Sequence, residues 1–240
     1  MVVALPFNWR ILLLLVGLFS LAAGIAFCFT KGEGHFPGQP PNPENVKDVF
    51  SLKSFWIMVI LFSMGIGSSA GLYTMIPLYL SSERGFDPES ANFLLGLSRI
   101  SGLFMAFASG WISDRIGAKR TIAGVLFFSG AATIVLGLAS HDWVIIALFV
   151  QPLIATCFFP PAFSTLSGIV RPALRSLATS LAVPIGFLTG GGLVPMFLGE
   201  MGVYGSFGDG IAILGVCIMA VPFLTVFLVL RDSDEADEGC

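Results

Sequence analysis

The chain alternates long uncharged stretches with short polar segments. Seven of the stretches are long enough, at about 1.5 Å per residue in a helix, to cross a hydrocarbon core roughly 30 Å thick. They are predicted transmembrane helices at about 11–29 (α1), 54–80 (α3), 90–113 (α4), 121–139 (α5), 143–170 (α6), 176–199 (α7) and 210–230 (α8). Apolar residues at helical spacing after Pro43 indicate a further short helix, α2, on the membrane surface. The pattern therefore predicts an all-α membrane protein with seven spans.

The composition excludes several other classes of protein. Hydrophobic residues make up 55% of the 240 positions and charged residues only 11%, which is more apolar surface than one soluble core can bury. The four cysteines have no paired spacing, so we expect no disulfide framework, no metal site and no cofactor. The chain has no basic cluster that would favour nucleic acid as a partner. The lipid bilayer is the partner that this composition predicts.

One short pattern is also found in enzymes. Residues 67–71, with the sequence GSSAG, match the G-x-S-x-G turn of serine hydrolases. That turn joins a strand to a helix and needs a histidine base, whereas both histidines here, His35 and His141, lie in predicted loops. Close packing of small residues between helices explains the pattern better. We therefore predict no catalytic residue and no enzymatic activity.

The predicted spans fall into two classes. Helices α1, α5 and α8 are apolar nearly all round, as expected for helices that face lipid. The other four contain small, polar and proline residues, which allow close helix approach or bend a helix around a cavity. These residues are Gly65, Gly67, Ser68, Ser69 and Gly71 on α3; Asn92, Gly96 and Arg99 on α4; Gln151, Pro152, Pro160 and Pro161 on α6; and Pro184, Gly186, Gly190, Gly191, Gly192 and Pro195 on α7.

Arg99 is the charged residue that lies well inside a span. An arginine at that depth costs about 2.5–3.5 kcal/mol on insertion scales unless a partner compensates it, and the predicted spans offer no acid. On a helical wheel Arg99 shares a stripe of polar and small residues, within about 60°, with Asn92, Gly96, Gly102, Ala106 and Gly110. Its partner is predicted to be a carboxylate outside this chain, an anionic solute or backbone carbonyls.

Four polar residues on different helices share a predicted depth. Tyr73, Arg99, Gln151 and Thr189 each lie about seven to ten residues from one end of their span, or roughly 10–15 Å. Any one of them alone could be an ordinary helix-packing residue. Taken together, and with Asn92, they are the predicted substrate-binding residues.

A charged loop separates α4 from α5. Asp114 ends one helix while Lys119 and Arg120 begin the next, so each charge opposes the local helix dipole by about 0.3–1 kcal/mol. Such charges are expected to bind groups on neighbouring helices, and Gly117 is expected to supply a tight turn with positive φ. The predicted conformational latch consists of Gly110, Asp114, Arg115, Gly117, Lys119 and Arg120.

The spacing of this loop resembles the cytoplasmic signature of the major facilitator superfamily, G-x-[LI]-[SA]-D-R-x-G-[KR]-[KR]. The match covers Gly110, Ile112, Ser113, Asp114, Arg115, Gly117 and Lys119, and it departs at Ala118, where a basic residue is usual. The glycines and prolines of 186–199 loosely resemble the family's antiporter motif but lack its adjacent Gly-Pro pair, so antiport is not inferred.

The resemblance implies a domain organisation, because the family's fold is two six-helix bundles joined by a long cytoplasmic loop. Residues 1–29 would be the last helix of an N-terminal half, and 30–53, rich in glycine and proline, the cytoplasmic interdomain linker. Residues 54–231 would form the C-terminal six-helix bundle, and 232–240 an acidic cytoplasmic tail. The expected partner is then an N-terminal half that this chain lacks.

The distribution of basic residues gives an orientation. With the charged loop on the cytoplasmic side, that side holds nine lysines and arginines and the other side holds Arg10 and Arg84. This bias predicts a cytoplasmic C-terminus in the inner membrane. Arg10 followed by α1 could also be a signal peptide, but Phe27 stands before Cys28, where lipid attachment needs a small residue.

The sequence therefore predicts a secondary transporter, or half of one, that moves a small solute, with an anion favoured, by alternating access. An alternative from a different functional class is a membrane subunit or sensor, which would have the same fold but would not transport a solute. An intramembrane enzyme is the third and weakest interpretation.

Overall fold

The computed structural model describes residues 9–29 and 42–229, and this part of the chain is helical without strands. The predicted all-α fold is confirmed. The helices are α1 Trp9–Phe29, α2 Pro43–Ser51, α3 Lys53–Ser82, α4 Pro88–Ile116, α5 Ala118–Leu138, α6 Trp143–Gly168, α7 Pro172–Tyr204 and α8 Phe207–Phe227.

In the described part of the chain, six helices are long and apolar enough to cross a membrane, namely α3 to α8. The seventh predicted span corresponds to α1, an apolar helix of 21 residues that contains the apolar stretch Leu13–Phe29. Its contacts separate α1 from the other helices, which form one unit of their own. The described side chains of α1 are exposed, as at Phe19 with 78% of its surface accessible.

The short helix α2 packs on the start of α3. Proline at its first position and Glu44 in its first turn favour helix initiation. Val49 is fully buried, and the indole of Trp56 donates to the carbonyl of Phe50 (2.9 Å) while the two rings stack at 5.6 Å. The helix therefore fixes how the chain enters the bundle.

Helices α5 and α8 form the most closely packed helix pair in the described bundle. A methyl group at Gly130 would lie 2.7 Å from the carbonyl oxygen of Gly215, and one at Gly137 would collide with that of Gly208. Glycine on both helices lets the two backbones approach closely. The opposite face of α5 exposes Phe128. These two helices thus have one packed face and one exposed face. Their apolar sequences had instead predicted lipid contact nearly all round.

Two of the helices that were predicted to be irregular contain π turns. Residues 67–71 of α3 and 187–193 of α7 have the wider π-helix geometry, in which each backbone hydrogen bond joins residues five positions apart. The two turns cross each other with Gly71 and Gly190 in backbone contact. Thr189 donates to the hydroxyl of Ser63 (2.6 Å) beside the crossing.

A carboxylate joins α3 to α8 at one end of the bundle. Glu83 accepts hydrogen bonds from the backbone N–H groups of Phe207 and Gly208, the second at 3.0 Å, and from the hydroxyl of Ser206 (3.2 Å). The N-terminus of a helix favours negative charge. The neighbouring Arg84 donates to the carbonyl of Gly137 on α5 (2.9 Å), so this end of three helices is held together.

Candidate functional site

A cavity of about 520 Å³ lies between α3, α4 and α6. Its wall is mostly apolar, with glycine, alanine and proline beside aromatic rings, and Arg99 is the charged residue among those that line it. The lining residues are Ser69, Tyr73, Arg99, Gly102, Ala106, Pro152, Ala155, Thr156, Phe159, Pro160 and Phe163. Gly102 and Ala106 belong to the stripe that the helical wheel predicted on the Arg99 side of α4.

The guanidinium of Arg99 lies over the ring of Tyr73, with its central carbon 4.7 Å from the ring centre. One of its nitrogens donates to the backbone carbonyl of Ser69 at 3.3 Å, which is a long bond. A guanidinium has five N–H donors. Among the described residues no other hydrogen bond of this group is found, so most of the donors of this exposed side chain are unused.

Behind the cavity wall, Gln151 is fully buried and fully bonded. Its side-chain oxygen accepts from the hydroxyl of Tyr73 (2.9 Å), and its nitrogen donates to the carbonyl of Ser68 (2.9 Å) and the hydroxyl of Thr133 (3.2 Å). Ser68 and Ser69 both belong to the π turn of α3, whose carbonyls thus bond side chains from α6 and α4. This network sets the position of the Tyr73 ring.

The structure brings together three of the five residues predicted to bind substrate. Arg99 and Tyr73 line the cavity, and Gln151 lies directly behind Tyr73. Thr189 is not among the lining residues and bonds Ser63 at the crossing of α3 and α7. Asn92 is exposed, and its amide donates to the carbonyl of Pro88 in the same helix (2.8 Å).

The aromatic part of the wall was not predicted from the sequence. Phe159 and Phe163 line the cavity from α6, one helical turn apart. Phe163 packs edge-on against Phe62 with ring centres 5.2 Å apart, and Phe159 packs in the same way against Phe158 at 5.6 Å. Their spacing of four residues beside Pro160 was the available signal, but phenylalanine is common throughout this chain.

In the charged loop, Gly117 has φ of +96°, the positive value that its predicted turn needs. Lys119 donates to the carbonyl of Leu228 (2.8 Å) at the end of α8. Arg115 stacks over Trp111 with 4.1 Å between its central carbon and the ring centre. Within the described residues, the exposed Asp114 and Arg120 have no hydrogen bond or ion pair through their side chains. Gly110 lies half-buried on α4.

Comparisons with known proteins give several partial matches. The chain is 28% identical over 125 residues to the 4-hydroxybenzoate transporter PcaK of Acinetobacter baylyi, covering 49% of this chain and 27% of that protein. It is 37% identical over 67 residues to the glycerol-3-phosphate transporter of Bacillus subtilis, covering 28% and 15%. It is 23% identical over 185 residues to the membrane sensor protein UhpC of Salmonella typhimurium, covering 67% and 41%.

The chain spans less than half the length of each of these relatives. The match to the family as a whole is more extensive than any of the three, since the sequence profile of the Major Facilitator Superfamily covers residues 2–195. That range includes the charged loop, the cavity helices α3, α4 and α6, and most of α7. The chain therefore belongs to the major facilitator superfamily.

Proposed function

We propose that this chain is the C-terminal half of a secondary transporter and that its cavity binds a small anionic solute during alternating access. The observation that supports this best is Arg99, a charged group with unused donors on an otherwise apolar wall. No carboxylate is found among the described residues that line the cavity. An anion is the ligand that this charge favours.

The energetics support a partner beyond those within the bundle. A ring face and one long carbonyl bond stabilise a cation only partly, because a cation–π contact contributes about 0.5–2 kcal/mol. A planar carboxylate could accept two parallel N–H bonds from the free edge of the guanidinium.

The relatives support the same class of solute. Two of them are named as transporters of 4-hydroxybenzoate and of glycerol-3-phosphate, and each of these solutes has an anionic group. Anion binding by this chain would therefore agree with the chemistry in both names.

The proposed domain organisation follows the family. Residues 1–29 would be the last helix of an N-terminal half and 30–53 the linker, of which α2 and the first residue of α3 are the described part. Residues 54–231 would form the C-terminal bundle and 232–240 a cytoplasmic tail. The chain would then lie in the inner membrane with its C-terminus in the cytoplasm, and an N-terminal half would be its partner.

A binding experiment on Arg99 tests the proposed solute class. We expect Arg99→Ala to weaken the binding of 4-hydroxybenzoate about tenfold to 100-fold, the effect of losing charged hydrogen bonds of about 1.5–3 kcal/mol. Arg99→Lys keeps the charge but loses the planar donor pair, so its affinity should be intermediate. Isothermal titration calorimetry on the purified 240-residue chain in detergent would measure this, with glycerol 3-phosphate as a second probe.

Arg175→Ala is the matched control, because Arg175 is also exposed and also donates to one backbone carbonyl, that of Ser167 (3.1 Å), but does not line the cavity. It should bind both probes as the unchanged chain does. A structural role for Arg99 predicts a different order. In that case Arg99→Ala would lower the melting temperature strongly, Arg99→Lys would be tolerated, and neither would change affinity selectively.

A sensor is the second candidate function, because the relative with the longest match is named a membrane sensor protein. Both candidates predict solute binding, and only a transporter predicts uptake. Proteoliposomes containing this chain together with an N-terminal half would separate them. Arg99-dependent accumulation of radiolabelled solute supports a transporter, and binding without accumulation supports a sensor.

The latch gives a separate prediction. Asp114 is exposed, so we propose that its partner is a positive group of the N-terminal half. Asp114→Asn should then shift the balance between inward-open and outward-open forms by about 1–3 kcal/mol, the size of one charged contact. Accessibility of engineered cysteines on the two faces of the assembled transporter would measure the shift. Glu89→Gln, at the other end of α4, should leave the accessibility unchanged, and an equal response of both variants would contradict the latch.

A further inference from the structure

The donors on the cavity wall are the first clue to the identity of the solute. The hydroxyl of Ser69 donates to the carbonyl of Gly65 (2.9 Å), that of Thr156 to Pro152 (2.8 Å), and that of Tyr73 to Gln151 (2.9 Å). A hydroxyl has a single hydrogen to donate. Among the described side chains of the wall, Arg99 is therefore the one with N–H or O–H groups to offer a ligand.

This distribution disfavours a solute whose body has many hydroxyl groups. Such a body would lose its water inside the cavity and find apolar carbon on this wall, where Phe159, Phe163 and Pro160 lie. Each polar group buried without a partner weakens binding about fivefold to 100-fold. An apolar body gains affinity from the same surface.

The charge on the wall favours a single negative charge. One guanidinium neutralises one carboxylate and fits its two oxygens. A phosphate monoester carries a charge of about −1.5 to −2 at neutral pH, so Arg99 alone would leave part of that charge uncompensated on this mostly apolar wall. Among the described residues of this chain that line the cavity, there is no second basic side chain to balance it.

The aromatic rings of the wall are held in place before any ligand binds. Phe163 is fixed by its edge-on contact with Phe62, Phe159 by its contact with Phe158, and Tyr73 by its bond to Gln151. Aromatic rings prefer offset or edge-on contacts with other rings at 4.5–7 Å. A flat ring can therefore bind against this wall with little rearrangement.

We infer that the solute is a monocarboxylate with a flat apolar body, of which benzoate is the simplest example. Its carboxylate binds the free edge of Arg99 and its ring packs against Phe159 and Phe163. This inference rests on the proposed function, since it names the solute class of the same cavity. It also separates the two solutes in the names of the relatives, because it favours the 4-hydroxybenzoate class over the glycerol-3-phosphate class.

The test is a binding panel by calorimetry on the purified full chain in detergent. Its probes are benzoate, cyclohexanecarboxylate, the neutral isostere benzamide, glycerol 3-phosphate and glucose 6-phosphate. We expect benzoate to bind at least tenfold more tightly than either phosphate, and benzamide to show no measurable binding. Cyclohexanecarboxylate should bind more weakly than benzoate because it is thicker and lacks a ring face.

A pair of variants tests where the ring of the bound benzoate lies. Phe163→Asn should weaken benzoate about tenfold without changing its Arg99 dependence, and it should fold because Phe163 is already 40% exposed. Phe128→Asn is the control, since Phe128 is 61% exposed and does not line the cavity. It should leave benzoate affinity unchanged.

The outcomes distinguish this inference from the proposed function. Arg99-dependent binding in which a phosphate ester equals or exceeds benzoate would overturn the solute class and leave anion binding intact. If neither Arg99→Ala nor Phe163→Asn changes the affinity for benzoate, the ligand binds outside this cavity and the inference is overturned. If no anion in the panel binds in an Arg99-dependent way, both proposals fail.

Discussion

Gly190→Ala is expected to destabilise the bundle severely, because no Cβ fits at this position. A methyl group there would collide with the carbonyl oxygen of Ser63 and approach the backbone nitrogen of Gly67 to 2.7 Å. Both atoms belong to the backbone of α3, which cannot move aside as a flexible side chain can. Overpacking of a core costs about 1–3 kcal/mol where neighbours can adjust, and we expect the upper end of that range or more.

The same π turn contains the control for this change. Gly192 has open space around its Cα, and a methyl group there would meet no atom within 4 Å. Alanine is favoured over glycine in a helix by about 1 kcal/mol, so Gly192→Ala should be neutral or slightly stabilising. Thermal unfolding of both variants in detergent measures the difference. Equal melting temperatures would show that α3 and α7 do not meet at Gly190.

Gln151→Leu should produce the second large loss of stability. Leucine nearly fills the volume but leaves two buried groups without this partner, the hydroxyl of Tyr73 and the carbonyl of Ser68. The hydroxyl of Thr133 still donates to the carbonyl of Ser129 (2.8 Å). Each stranded group costs about 1–3 kcal/mol. Asn92→Leu removes an amide from an exposed position and should change stability by less than about 0.5 kcal/mol.

A double variant isolates the contribution of the hydrogen bond between Tyr73 and Gln151 to stability. Adding Tyr73→Phe to Gln151→Leu removes the stranded hydroxyl, so the double variant should lose less stability than the sum of the two single ones. Thermal unfolding of the four proteins gives the coupling energy. Simple additivity would mean that the bond between Tyr73 and Gln151 contributes nothing to the fold.

The positions of the helices could be predicted because the thickness of the bilayer sets the length of an apolar run. The boundaries were less accurate where helices continue past the apolar core. The prediction for α7 began at 176 and ended at 199, whereas the helix spans Pro172–Tyr204 and includes Glu200. At the start of α4, Asp87 caps the helix by accepting from the N–H of Glu89 (3.1 Å), and an uncharged run cannot include such a residue.

The candidate site could be predicted in part. Arg99 was conspicuous because a charge inside an apolar span needs an explanation, and its stripe with Gly102 and Ala106 follows from helical geometry. Depth alone could not give the direction of a side chain around its helix axis. Gln151 and Thr189 share the predicted depth of Arg99, yet one lies behind the wall and the other lies at a helix crossing. The π turns also change the direction of side chains in ways that regular periodicity cannot show.

The lone charge of Arg99 has an electrical consequence under the proposed function. Among the described residues that line the cavity, Arg99 is the charged one, so these residues give the empty cavity a charge of one. A bound monocarboxylate cancels that charge. The membrane potential does electrical work of about 2.3 kcal/mol per elementary charge per 100 mV. For the charge that this half contributes, the membrane potential therefore acts on the conformational change of the empty transporter. It does no work on the conformational change of the solute-bound transporter, whose cavity is neutral.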